Sequence, residues 1–195
     1  HDAAVEAVTA DPLGLASSLA QRALALQQRP TPESIEGLRL AAATMERQIG
    51  AGDKSRFGRA VAAIAGASGK VAFVGKLVEA IPVLGGPLGG LVHAAASVCE
   101  KALQLEAQSD DACELLEDIA LATGQMLAAE AFFTAAEAER TKRYCDTMAA
   151  TIRRVHAFLV RCFEGARRTM IQLVSIFAGT DNARLQASGK LKEAF

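Results

Sequence analysis

At 195 residues the chain is long enough to bury a substantial core within one domain. It is 51% hydrophobic but 5% aromatic, with no Trp, so alanine carries much of the hydrophobicity, and alanine is the strongest helix former because it loses no side-chain entropy. A net charge of −1 excludes a general field for nucleic acid or lipid, and the dispersed Cys99, Cys113, Cys145 and Cys162 exclude a small disulfide framework or a CxxC metal half-site. These cysteines are expected to be reduced, semi-buried thiols of an intracellular protein.

Residues 1–11 are weakly patterned and are expected to fray. The opening His1-Asp2 without Met, and the stop at Phe195 inside a helical pattern, suggest an excised domain with a cloning remnant at its start. From Pro12, Leu15, Leu19, Ala23 and Leu26 recur at helical spacing up to Pro30. Thr31-Pro32-Glu33 supplies an N-cap, a proline at the first helical position and an acid in the first turn. The helix so opened carries Ile35, Leu38, Ala42, Met45 and Ile49 and stops at Gly50-Ala51-Gly52.

Asp53 or Ser55 caps the next segment, whose apolar face runs from Phe57 through Val61 and Ile64 to Ile81; Gly66 to Gly69 either kinks it or splits it. Between Glu79 and Glu100 lies a twenty-residue window without a charge, the length of a membrane span. Pro82, Pro87, Gly85, Gly86, Gly89 and Gly90 make it a poor one, since a lipid-facing helix there would leave backbone groups unpaired. The expectation is instead a Pro/Gly bend over 82–90, followed by a helix from about Pro87 to Gln108. The small-residue repeats Gly85-x-x-x-Gly89 and Gly86-x-x-x-Gly90 could also let helices approach closely, but the bend is the favoured use.

Ser109 or Asp110 caps an acidic helix containing Asp111, Glu114 and Glu117. Thr134-Ala135-Ala136-Glu137 matches a capping box, so either a boundary lies near Phe133 or one helix continues through Ala138. A long stripe follows: Tyr144, Met148, Ile152, Val155, Leu159, Cys162, Ala166, Met170, Leu173 and Phe177. Gly179 and Asp181 then end that helix and open a last one.

No catalytic signature is present. Gly66-Ala67-Ser68-Gly69-Lys70 fails as a phosphate loop because Ile64 replaces its first glycine and Val71 its magnesium-binding hydroxyl. His93 and His156 stand alone, and neither a Ser/His/Asp set nor the Glu-x-x-His pairs of a di-iron bundle occur. The chain is expected to be no enzyme and to need no cofactor or metal. The charges are instead segregated: Glu100 to Asp118 is acidic except for Lys101, and Arg140 to Arg168 is basic except for Asp146 and Glu164. Arg153, Arg154, Arg161, Arg167 and Arg168 recur opposite the apolar stripe. They form either the solvated side of an amphipathic helix or a site for anionic lipid headgroups. Nucleic acid is disfavoured, because aromatic platforms are missing.

The order of these features resembles a known family. A turn of the form IPVLGGPLGGL leads into VHAAASVCEKALQLEAQ, then SDDACELLEDIALATGQML, a very long helix, and SIFAGTDNARLQASGKLKEAF. This is similar to the HeLo-like four-helix-bundle family, exemplified by the N-terminal domain of the mixed lineage kinase domain-like pseudokinase and its fungal and plant relatives. The likeness covers roughly Val71 to Phe195. It implies an N-terminal cytoplasmic signalling module of cell death or innate immunity that self-associates. Such a module binds or permeabilises anionic membranes when a regulatory domain of the same protein releases it. Unlike the membrane-killing members, this chain has its early cations, Arg39, Arg47, Lys54, Arg56 and Arg59, diluted. The expected architecture is all-α, an antiparallel helical bundle: an N-terminal helical pair at 12–52, a four-helix-bundle core at 53–180, and the start of a brace helix at 181–195.

Overall fold

The computed structural model describes residues 11–71, 82–128 and 138–168, with 162–168 as backbone alone. The fraying expected before Asp11, the helix up to Ile81, the boundary near Phe133, the stripe beyond Leu159 and the brace at 181–195 lie outside the described residues and side chains. Within them the protein is all-helical, with no strand.

Most helices begin where a short polar side chain meets the free N–H groups of the first turn. Helix α1 (Pro12–Gln28) starts at Asp11, whose carboxylate accepts from the Leu13 and Gly14 amides at 3.1 and 3.2 Å. Pro12 follows, where a missing N–H leaves nothing unpaired. Asp11 therefore belongs to the first helix rather than to a frayed end. Helix α2 (Pro32–Gly52) opens on a reciprocal box in which Thr31 Oγ1 accepts from the Ser34 amide and Ser34 Oγ accepts from the Thr31 amide.

Helix α3 (Arg56–Gly69) is capped by Ser55, which accepts from the Gly58 amide at 3.0 Å, while Asp53 takes the Ser55 amide at 2.8 Å. A 3-10 turn at Pro82–Leu84 leads into α4 (Gly85–Gln104), the one start without a side-chain cap among α1 to α4. Helix α5 (Asp110–Ala128) takes Ser109 as its cap, with the Ala112 amide donating to Ser109 Oγ at 3.3 Å. Helix α6 (Ala138–Arg168) is the longest of the described helices.

Helix α4 starts earlier and ends earlier than its sequence suggests. The 82–90 stretch is not a bend throughout: the turn is confined to Pro82–Leu84, and all four glycines lie within the helix. None of the described glycines has positive φ, so conformational freedom is not their use. The far end closes by a Schellman-type turn, with the Ala107 amide donating to the Ala102 carbonyl at 2.9 Å and Glu106 in the left-handed region at φ 51°. That turn stops the helix at Gln104 rather than Gln108.

Helix α4 is the axis of the packing. It pairs most extensively with α1, strongly with α6, and more lightly with α5 and α3, while α2 bridges α1 and α3, and α3 packs on α5. Leu88, Leu91, Val92, Ala95, Val98 and Cys99 are fully buried along it. A continuous buried cluster joins residues of all six helices, including the N-terminal pair. Small residues set the interhelical spacing: a Cβ added at Gly89 would lie 2.5 Å from the Gln27 amide nitrogen and 2.9 Å from the Leu26 carbonyl carbon. Backbone thus meets backbone where α1 ends and α4 begins. The same economy recurs more loosely where Gly69 faces Ala42 and Gly124 faces Ala67.

The inward line of helix α6 runs through Ala138, Thr141, Cys145, Met148, Ile152, Val155 and Leu159 at alternating steps of three and four, with Ala149 and Thr151 buried beside it. The stripe expected from Tyr144 is shifted at its start. Tyr144 is 45% exposed with the Arg140 guanidinium over its ring, and Cys145 takes the inward position.

Gly89→Ala is expected to cost about 1–3 kcal/mol by forcing α1 and α4 apart, despite a helix-propensity gain of about 1 kcal/mol. Gly52→Ala, where nothing lies within 4 Å, serves as the control and should be neutral or stabilising in urea unfolding. Glu106→Gly should raise stability by about 0.5–1 kcal/mol in the same measurement, because it relieves a left-handed residue.

Candidate functional site

The residues singled out by the sequence lie on α6, whose position follows from its seam. The helix rests chiefly on α4 and scarcely touches α5. At about 100° per residue, the inward positions Cys145, Met148, Ile152, Val155 and Leu159 cluster on one side of the helix. Arg153, Arg154 and Arg161 fall away from that cluster, and the structure leaves all three exposed. Arg154 and Arg161 share one line along the helix. Arg153 stands nearer the seam, close enough for its charge to disfavour protonation of His93 on α4, an effect added to the larger one of His93's partial burial.

Arg167 and Arg168 belong to the backbone of α6, but their side chains lie outside the description. The structure adds a residue the sequence reading passed over: exposed Arg143 lies eleven residues before Arg154, three helical turns, and so on the same line. Counting turns from Arg154 backwards, rather than looking for arginine pairs, would have found it. Arg143, Arg154 and Arg161 together form a row about 27 Å long at 1.5 Å per residue. Arg161 also donates from Nε to the Ala157 carbonyl at 3.3 Å, which aligns its side chain along the helix. No described carboxylate lies within salt-bridge distance of Arg143, Arg153, Arg154 or Arg161.

The acidic helix is engaged elsewhere. Arg56 at the start of α3 holds Glu117 of α5 with a two-pronged contact, Nε to Oε1 at 3.2 Å and Nη2 to Oε2 at 2.9 Å, and reaches Asp110 at 3.5 Å. This fork orients α3 against the N-terminal half of α5, whose first-turn Asp110 and Asp111 also suit the helix dipole. The hydrogen bond from Arg56, with the nearby positive charges adding, holds the Glu117 carboxyl below its ordinary value.

The three described cysteines are free and buried rather than semi-buried. Burial pushes the Cys99 and Cys145 thiols up to about 12 and raises Cys113 as well, which makes them poor nucleophiles and poor metal ligands. Among the described residues no group of three or more His, Cys, Asp or Glu is placed to hold a metal ion. No described helix is long and apolar enough to cross a membrane.

Comparison with family models, with curated protein sequences and with solved structures finds no match in any of the three.

The Arg56–Glu117 fork has a defined pH dependence. A carboxyl whose folded pKa is depressed contributes stability that is present above its ordinary value of 4.5 and is lost as pH falls through the folded one. Glu117→Gln should therefore lower the thermal midpoint at pH 7 and flatten its decline below about pH 4.5, when melts are followed by circular dichroism across pH.

Proposed function

We propose that the chain is a helical effector or signalling domain of the HeLo-like kind. In this reading a four-helix antiparallel core, carrying additional N-terminal helices, rests in the cytoplasm under the control of another domain. On release it self-associates and binds or permeabilises anionic membranes. The observation that carries the reading is the row of exposed arginines on α6, directed away from a regular apolar seam that serves one neighbour. Such a helix can present its cations to a surface without disturbing the core behind it.

The magnitude is adequate. Each cation near an anionic bilayer contributes about 1 kcal/mol, so the row supplies roughly 3–4 kcal/mol, which is a hundredfold or more in affinity. With a net charge of −1 the molecule as a whole is not attracted, so binding would depend on the orientation of α6 and weaken with salt.

A protein-binding adaptor without membrane activity is the second reading. It is favoured by α5 and α6 carrying opposite charge while scarcely touching, so that the α6 cations are not neutralised by the α5 acids and can meet an acidic partner. Joint reversal of Arg153, Arg154 and Arg161 to Glu separates the two readings. Sedimentation with phosphatidylserine-containing vesicles should fall at least tenfold, and dye release with it. Unchanged vesicle binding would sink the membrane reading, and binding without leakage would sink permeabilisation alone.

A further inference from the structure

The outer faces of α1 and α2 enclose an open groove of about 700 Å³ that the α6 surface leaves unexplained. Leu15 and Leu40 line it, and Leu40 is 51% exposed, more than any other described leucine except Leu121. Gly37 contributes no side chain, and the Arg22 side chain lies across it: a Cβ added there would stand 3.5 Å from Arg22 Nη1. On the same wall Glu33 lies one turn before Gly37, and Glu36 one turn before Leu40. Glu36 is already paired with Arg39 at 2.6 Å. Arg22 and Glu33 have no ion-pair partner among the described residues.

We infer that this groove is a contact surface for a second copy of the same chain, docked about a twofold axis. The charge pattern selects that occupant. A twofold contact apposes each residue to the other copy's version of its own surroundings, so the patch must carry both members of every cross pair. Here one cation, Arg22, stands beside one anion, Glu33, around an exposed leucine; neither has an ion-pair partner among the described residues, and Glu33 is held by hydrogen bonds to its own backbone and to Thr31. A strongly acidic or basic partner would meet a patch with no net charge to attract it, whereas a second copy satisfies Arg22 with Glu33 in both directions.

Helix α1 is about 25 Å long at 1.5 Å per residue, and two helices are about 20 Å wide, giving a footprint of roughly 500 Å² per copy. That size belongs to weak, transient interfaces, so association in the micromolar range is expected. This supplies a surface for the self-association within the proposed function and rests on that part of the reading.

The test is charge exchange in the 195-residue chain, read by sedimentation equilibrium from roughly 10 to 500 μM. Arg22→Glu alone and Glu33→Arg alone should each weaken dimerisation about tenfold or more by apposing like charges twice. An equimolar mixture of the two variants, and the double variant, should both recover the wild-type constant within about threefold, because opposite charges face each other again. Leu40→Ala should weaken it independently of charge. Circular dichroism confirms that each variant is folded. A chain that stays monomeric over this range, single variants that dimerise like wild type, or a mixture that fails to recover would each overturn the inference. Vesicle binding measured on the same variants keeps the readings apart: if it persists while dimerisation fails the test, the inference alone falls. Charge exchange that behaves as expected alongside absent vesicle binding removes only the membrane reading.

Discussion

Everything in this structure depends on how closely α1 and α4 approach. At Gly89 the two helices meet through backbone atoms, with no side chain to act as spacer. That spacing brings Leu26 and Leu88 into a common buried core and seats α4 deeply enough to be shared by α1, α3, α5 and α6. A helix in that position must be apolar around most of its circumference, because each side faces a neighbour rather than water. The uncharged window from Ala80 to Cys99 is thus accounted for over its described part by shared burial, without invoking a membrane.

Centrality in α4 permits asymmetry in α6. Since α6 satisfies its apolar face almost entirely on one neighbour, the remainder of its circumference is free to be charged. The acidic charge of α5 does not neutralise that face directly; part of it is drawn towards Arg56 of α3. The domain thus keeps a near-zero net charge while holding a local basic surface.

Helix-level organisation was legible from sequence because it is written in local chemistry. Thr31-Pro32-Glu33 and Ser55 mark helix starts through hydrogen bonds within one turn, and the Leu19, Leu38, Met45 and Leu91 spacings report burial directly. What could not be read were facts determined by distant residues. The glycines at 85–90 carry identical signals for a bend and for close packing, and only the presence of Gln27 opposite decides between them. The boundary at Gln104 turns on Glu106 adopting a left-handed conformation that residue type does not advertise. Tyr144 and Cys145 fit the stripe almost equally well in one dimension, and the choice between them depends on where α4 lies. At the candidate site, the exposure of Arg153, Arg154 and Arg161 was anticipated, whereas Arg143 was hidden by its distance in sequence.

The contact at Gly89 also has a consequence for the speed with which the chain acquires structure. It joins residues 62 positions apart, 89 less 27, and belongs to the most extensive helix pairing in the molecule. Closing a loop of that size costs about 3.7 kcal/mol in chain entropy beyond the constant term, before any contact rewards it. A helical protein assembled only from sequential neighbours would avoid that expense and fold at the fast end of its class. Here the α1–α4 contact raises the sequence separation of contacting residues above that of such a sequential stack, which works against that speed.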